Sequence, residues 1–95
     1  MIVNGKEYPL WSQFVERKNE WIGGVLEDFD MGEVMKTKIK DIELRPNGDD
    51  SAYFSIIGED FDCGFDVSYG GITVGDEGWV TFSRFYGGTH RIKEP

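Results

Sequence analysis

The chain has 95 residues and a formal net charge of −8, with 39% hydrophobic and 15% aromatic residues. That length fits one ordinary domain, and the apolar content excludes a disordered tail. The single cysteine, Cys63, excludes an internal disulfide and a cysteine-based zinc site. No basic segment followed by an apolar stretch opens the chain, and no apolar run approaches the ~20 residues that cross a bilayer, so a reducing cytoplasm is the expected location.

Asn4-Gly5 is a two-residue hairpin signal and predicts a short ribbon of Ile2-Val3 with Glu7-Tyr8, ended by Pro9. Ser12 is the expected cap of one amphipathic helix running to about Trp21, with Trp11, Phe14, Val15, Lys18 and Ile22 along one side. Lys18 can lay its stem along that stripe. Gly23-Gly24 ends the helix. Val25 to Phe29 reads as a strand, and Lys36 to Leu44 as another. Ile39, Ile42 and Leu44 do not share one alternation, which predicts a bulge near Lys40-Asp41.

After a turn at Pro46-Asn47-Gly48-Asp49, Ser51–Ile57 and Phe61–Tyr69 form the most definite hairpin. With Glu59-Asp60 at its tip, Ile56 faces Cys63, Phe54 faces Phe65 and Ala52 faces Val67, all toward the core. On the other face Ile57 meets Asp62, Ser55 meets Gly64 and Tyr53 meets Asp66. A three-residue loop before this hairpin pairs Leu44 with Ala52 and Ile42 with Phe54. Tyr69-Gly70-Gly71 bends the chain into Ile72-Thr73-Val74, Gly75-Asp76-Glu77-Gly78 turns it, and Trp79–Tyr86 is the expected last strand. Residues 89–95, with the only histidine, are expected as a loose tail of a single domain spanning 1–95. The expected fold is therefore α+β: one N-terminal amphipathic helix on an antiparallel, meander-like sheet of about four to six strands.

Glu27-Asp28-Phe29-Asp30-Met31-Gly32 recurs as Glu59-Asp60-Phe61-Asp62-Cys63-Gly64. Either both segments solve one local packing problem, with phenylalanine inward and aspartates outward, or they lie side by side as one acidic site. Aromatic residues also precede the glycine pairs of Tyr69-Gly70-Gly71 and Tyr86-Gly87-Gly88, as anchors before a bend. Neither acidic segment is an EF-hand: the sixth and twelfth positions are Glu33 and Ile39 counted from Asp28, and Phe65 and Gly71 counted from Asp60. Asp62 and Asp66 would lie ~13 Å apart along one strand, too far to share an ion. Cys63 and His90 are the only thiol–imidazole candidates, with the cysteine inward and the histidine in the tail. Phosphate-loop and dinucleotide fingerprints are missing, so the protein is expected not to be an enzyme and to need no cofactor or metal.

The charge is unevenly placed. Between Arg45 and Arg84 there is no lysine or arginine, while Asp49, Asp50, Glu59, Asp60, Asp62, Asp66, Asp76 and Glu77 supply eight negative charges. This interval repels nucleic acid and anionic membranes and attracts basic surfaces. The expected partner-binding residues are these eight together with Tyr53, where carboxylates steer an encounter and the ring supplies contact area. Density argues against strict imitation of duplex DNA, since eight phosphates occupy only about 14 Å of duplex, and leaves looser competition for a basic nucleic-acid channel open. In size, charge and lack of catalytic motif, the chain is similar to the small inhibitors that bacteriophages direct at host nucleic-acid enzymes, including anti-restriction and anti-CRISPR proteins. That resemblance of class implies a basic, nucleic-acid-binding protein as partner. The alternatives are a small structural or assembly protein that self-associates as a homo-oligomer, and a binder of a divalent cation or small ligand.

Overall fold

The computed structural model describes residues 1–30, 32–85 and 88–95. Asn4 and Gly5 take the positive φ values of 53° and 74° that a two-residue turn requires, joining β1 (Ile2–Val3) to β2 (Lys6–Glu7). The ribbon pairs one residue earlier than expected because Pro9 starts a helix rather than merely ending the ribbon. Proline fits the first helical position, where its missing N–H has no partner to lose. That helix, α1 (Pro9–Glu16), encloses Ser12, which is buried; Tyr8 occupies the cap position without a side-chain bond. The expected single helix to Trp21 divides at Arg17 (φ −109°, ψ 24°), and α2 (Lys18–Trp21) follows. Only α1 enters the core, through Trp11 and Phe14, whereas α2 buries no residue. Across the break, Trp21 packs on Phe14 with ring centroids 5.7 Å apart. Gly24 must be glycine: a Cβ there would lie 2.0 Å from the Lys93 carbonyl oxygen.

Seven strands follow among the described residues: β3 (Val25–Asp30), β4 (Glu33–Asn47), β5 (Ser51–Gly58), β6 (Asp62–Asp66), β7 (Gly70–Val74), β8 (Val80–Arg84) and β9 (Thr89–Lys93). They form one antiparallel sheet in the order β6-β5-β4-β3-β9-β8-β7. The sheet is larger than the four to six strands expected, and it is two meanders, β3 to β6 and β7 to β9, joined by the β3–β9 pair. The expected loose tail is in fact strand β9, lodged between β3 and β8. His90 and Ile92 are both 0% exposed, while Thr89, Arg91 and Lys93 alternate on the other face. The strand expected to be last, Trp79–Tyr86, is β8; its end at Tyr86, and Gly87 beyond it, lie outside the described residues, as does Met31 of the first acidic repeat.

Strand β4 shapes the molecule. Its residues 33–38 pair with β3, its residues 39–47 pair with β5, and the register shifts between Ile39 and Asp41, leaving Lys40 as the bulged residue. A bulge bends and twists a strand. Here it lets the sheet fold over, so that Phe65 of β6 reaches Phe82 of β8 (6.5 Å) and His90 of β9 (5.6 Å). Between the two halves lie Leu26, Ile39, Ile42, Phe54, Ile56, Phe82 and Ile92, none more than 1% exposed, with Trp11 of α1 in contact with Phe54, Phe65 and Phe82.

The β5–β6 register is the expected one at five positions, from Tyr53–Asp66 to Ile57–Asp62. Ala52 does not face Val67, because Val67–Tyr69 forms a 3-10 turn capped by the Asp66 carboxylate accepting from the Ser68 N–H. Before β5 the three-residue loop is Gly48-Asp49-Asp50, one residue later than expected. It pairs Leu44 with Phe54 and Ile42 with Ile56. The inward set is preserved, since this changes each pairing by two residues and not one.

Candidate functional site

Because Ile42 and Leu44 point inward, Asp41, Glu43, Arg45 and Asn47 line the opposite, outer face of β4. Beside them run Ile57, Ser55 and Tyr53 of β5, then Asp62, Gly64 and Asp66 of β6. Four carboxylates and one guanidinium thus share one three-stranded face. Its centre is organised by Tyr53, whose ring lies over Gly64; a Cβ on Gly64 would meet the ring at 2.6 Å. Arg45 stacks on Tyr53 with Cζ 4.9 Å from the ring centroid. Asp41 accepts from the Ile42 N–H and pairs with Lys18 at 3.1 Å; the hydrogen bond, then the lysine, hold its carboxyl below the ordinary range against the opposing effect of burial.

The nine residues expected to bind a partner divide among three places. Tyr53, Asp62 and Asp66 lie on this face, and Glu59 and Asp60 form the adjoining tip. Asp49 and Asp50 occupy the loop at the far end of β5, an eight-residue strand and so roughly 26 Å away. Asp76 and Glu77 sit in the β7–β8 turn at the opposite edge of the sheet, beside the Lys93 stem. The carboxylates of the turns thus lie apart from those of the hairpin face, because neighbours along the chain are spread over strands that run in opposite directions.

Asp66 is committed internally. It accepts from Asn47 Nδ2 (2.6 Å), Ser51 Oγ (2.7 Å) and the Ser68 N–H (2.8 Å). Burial pushes its carboxyl up, but those bonds outweigh it and the group is held below its usual value. Asp62 accepts from the Gly58 N–H at 3.2 Å. The tip is anchored by Thr37, whose hydroxyl donates to Asp60 Oδ2 (3.1 Å) and accepts from the Asp60 N–H (3.0 Å), while the Glu59 N–H bonds the Lys38 carbonyl. Thr37→Val is therefore expected to cost about 1–2 kcal/mol. It should also speed hydrogen exchange at the Asp60 amide, and unchanged protection there would show the tip is held by other contacts.

Two residues of the acidic face, Asp41 and Glu43, were outside the expected set. Their signal was the inward placement of Ile42 and Leu44, which sends the intervening positions outward. The two acidic repeats are not neighbours in the sheet, where β4 and β5 run between them; Asp28 acts on Cys63 only across the core, and Glu27 is spent elsewhere. It is 3% exposed and binds Arg91 Nε at 2.6 Å and Lys36 Nζ at 3.3 Å. Burial pushes its carboxyl up, and the bonds and charges of Arg91 and Lys36 pull it further down, to a net value below the ordinary one.

That ion pair belongs to a second surface. Lys36 and Lys38 of β4, Val25 and Phe29 of β3 and Arg91 and Lys93 of β9 share the outer face of the other half of the sheet. Trp79, just before β8, lies under both cations of β9: Arg91 Cζ is 3.8 Å and Lys93 Nζ 5.4 Å from its ring centroid. Four cations here oppose the single carboxylate of Glu27. The molecule is thus electrically polar, with an acidic outer face on β4–β5–β6 and a basic, aromatic one on β4–β3–β9.

Cys63 and His90 both face the core, from β6 and β9. Burial, then the charge of Asp28, push the Cys63 thiol up to about 12, far from the thiolate that nucleophilic work requires. Burial and the Arg84 charge push His90 down to about 3. Among the described residues no ligand-sized pocket and no cluster of three metal-ligating side chains is present. No helix is long and apolar enough to cross a membrane. Compared with family models, curated proteins and solved structures, the chain matches none.

Proposed function

We propose that the protein is a non-enzymatic binding module that applies the acidic outer face of β4–β5–β6 to a basic surface of a partner protein. The observation that carries this reading is the convergence of Asp41, Glu43 and Asp62 on one rigid three-stranded face, with Tyr53 and Ile57 between them. Carboxylates in that arrangement steer a cationic partner at long range, and the ring and aliphatic side chain supply contact area. A protein whose basic surface normally holds nucleic acid is the partner class in keeping with this charge and with the chain's likeness to phage-borne inhibitors. The acidic loop at Asp49-Asp50 and the turn at Asp76-Glu77 add to the long-range field and not to the contact.

Capture of partners from a bacterial lysate by the tagged chain tests the proposal. The triple variant Asp41→Asn, Glu43→Gln, Asp62→Asn is expected to retain at least about tenfold less of a partner held by the wild type, as loss of several charge-assisted contacts implies. Raising the salt should weaken wild-type capture in the same direction. A control variant with Lys36, Lys38 and Lys93 changed to glutamine should retain the partner. Equal capture by the acidic-face variant, with loss in the control, would move the interface to the basic face.

A further inference from the structure

The two edges of the seven-stranded sheet are built differently. An exposed edge strand is a template for pairing, and proteins block it with charge, proline or a bulge. Strand β6 is blocked: a second copy docking antiparallel about Gly64 would set Asp62 opposite Asp66 twice over. The uncovered start of β4 carries Glu33 and Lys36. Strand β7 has no such device. From Val67 to Gly75 the chain has no charge and no proline, Val74 is 79% exposed and Tyr69 56% exposed.

The direction of its backbone groups follows from the β8 pairing. The Gly75 N–H donates to the Trp79 carbonyl and the Phe85 N–H to the Tyr69 carbonyl, so the odd-numbered residues of this stretch face β8. Gly70, Ile72 and Val74 therefore turn their N–H and C=O groups to the open edge, where no strand among the described residues pairs with them. A two-fold axis through Ile72 brings outward residue to outward residue: Ile72 to Ile72, and Gly70 to Val74 on each side. Each facing pair exchanges two hydrogen bonds, as an antiparallel ladder requires. The space a side chain at Gly70 would take is filled by the Phe65 ring, which would adjoin Val74 of the second copy, and the charged turn residues Asp76 and Glu77 fall opposite Ser68 and Val67, not opposite carboxylates.

We propose that β7 is a homodimerisation edge, at which two copies pair antiparallel about Ile72 into one continuous sheet. The contact is short, well below the roughly 1,200–2,000 Å² of a stable interface. Dimerisation is accordingly a high-concentration event, expected in the range of about 10–500 μM. The dimer carries two acidic faces, so a partner with repeated basic sites would meet both at once.

Sedimentation velocity over that concentration range tests it, with wild type and Val74→Lys. The wild-type mass is expected to rise from 10.8 kDa toward twice that value, while the variant stays at one chain. Lysine here reduces the net negative charge, so a purely electrostatic effect would favour association, and loss of the dimer reports on the edge itself. Slowed exchange at the Ile72 amide with rising concentration, absent from the variant, is the second expected result. A wild-type chain that stays monomeric throughout, growth past two copies, or equal dimerisation of Val74→Lys would each overturn the proposal.

Discussion

Arg91→Ala is expected to destabilise the fold by about 4–5 kcal/mol, more than any other change to an ion pair of this protein. Glu27 is the reason. Its side chain is only 4% exposed, and Arg91 supplies the shorter of its two charged contacts, 2.6 Å against 3.3 Å for Lys36. Removing one member of a buried pair strands the other, at a cost of about 3–5 kcal/mol. Lys36 remains to offset part of that, placing the charge loss near the lower end. The guanidinium also covers Trp79 and approaches Phe29 at 5.2 Å, contacts worth about 0.5–1 kcal/mol each. Glu27→Gln in the Arg91→Ala background removes the stranded charge and is expected to restore about 1–2 kcal/mol. Urea unfolding of the two single variants and the double variant at pH 7.5 measures the cycle. A cost under about 1 kcal/mol for Arg91→Ala, or additive single changes, would show that the pair contributes little.

How much of this fold could be read from the chain follows the physics of alternation. The β5–β6 hairpin was legible because Ala52, Phe54, Ile56, Cys63 and Phe65 alternate without interruption, and a tight turn leaves one register that buries them all. The Lys40 bulge was legible from the broken phase of Ile39 against Ile42 and Leu44. Strand β9 was not, for two reasons. Thr-His-Arg-Ile-Lys offers only one aliphatic side chain to the core, its other inward position being a histidine. Its partner β3 is also distant in sequence: the Glu27–Arg91 bond spans 64 residues. Pairing over such a separation leaves no local signature, so a polar terminal strand resembles a tail. The helix was misjudged by local propensity, since Ser12 looks like a cap only if Pro9 is assigned to the preceding ribbon.

The surfaces follow the same division. Tyr53, Asp62 and Asp66 could be grouped from the hairpin register alone, and they do share a face. Asp49, Asp50, Asp76 and Glu77 were legible as turn residues, but the place of those turns relative to the hairpin face was not. The antiparallel strands carry those residues to other corners. The basic face was invisible for the complementary reason. Its cations come from residues 36–38 and 91–93, two short segments that meet only through β3. An acidic chain with pI near 4.5 thus conceals a cationic patch that its net charge does not suggest.

Acidification from pH 7.5 to pH 5 is expected to remove about 2 kcal/mol of stability through His90 alone. The imidazole is fully buried, stacked on Phe82 at 5.1 Å and set edge-on to Phe65 at 5.6 Å, and neither ring nitrogen has a hydrogen-bond partner among the described residues. Asp28 faces it from β3, Arg84 lies on β8 beyond Phe82, and Cys63 lies on β6; Arg84 and Asp28 are themselves paired at 3.4 Å. Burial, and after it the Arg84 charge, push the folded-state value from 6.5 down to about 3. The unfolded chain therefore takes up a proton that the folded chain refuses. Stability contributed by the neutral ring is complete above pH 6.5 and falls as the pH drops from there toward 3. The limit is about 5 kcal/mol for the whole interval, at roughly 1.4 kcal/mol per unit. Glu27, Asp41 and Asp66, whose folded values are lowered, lose their contributions in the same direction but only below about pH 4.5, so the window from 6.5 to 5 isolates the histidine. His90→Leu keeps a similar volume and removes both unpaired nitrogens. It should unfold at the same urea concentration at pH 7.5 and pH 5, where the wild type loses on the order of 1–2 M in midpoint. A wild-type midpoint that does not move, or a variant that follows the wild-type slope, would place the proton-sensitive group elsewhere in the sheet.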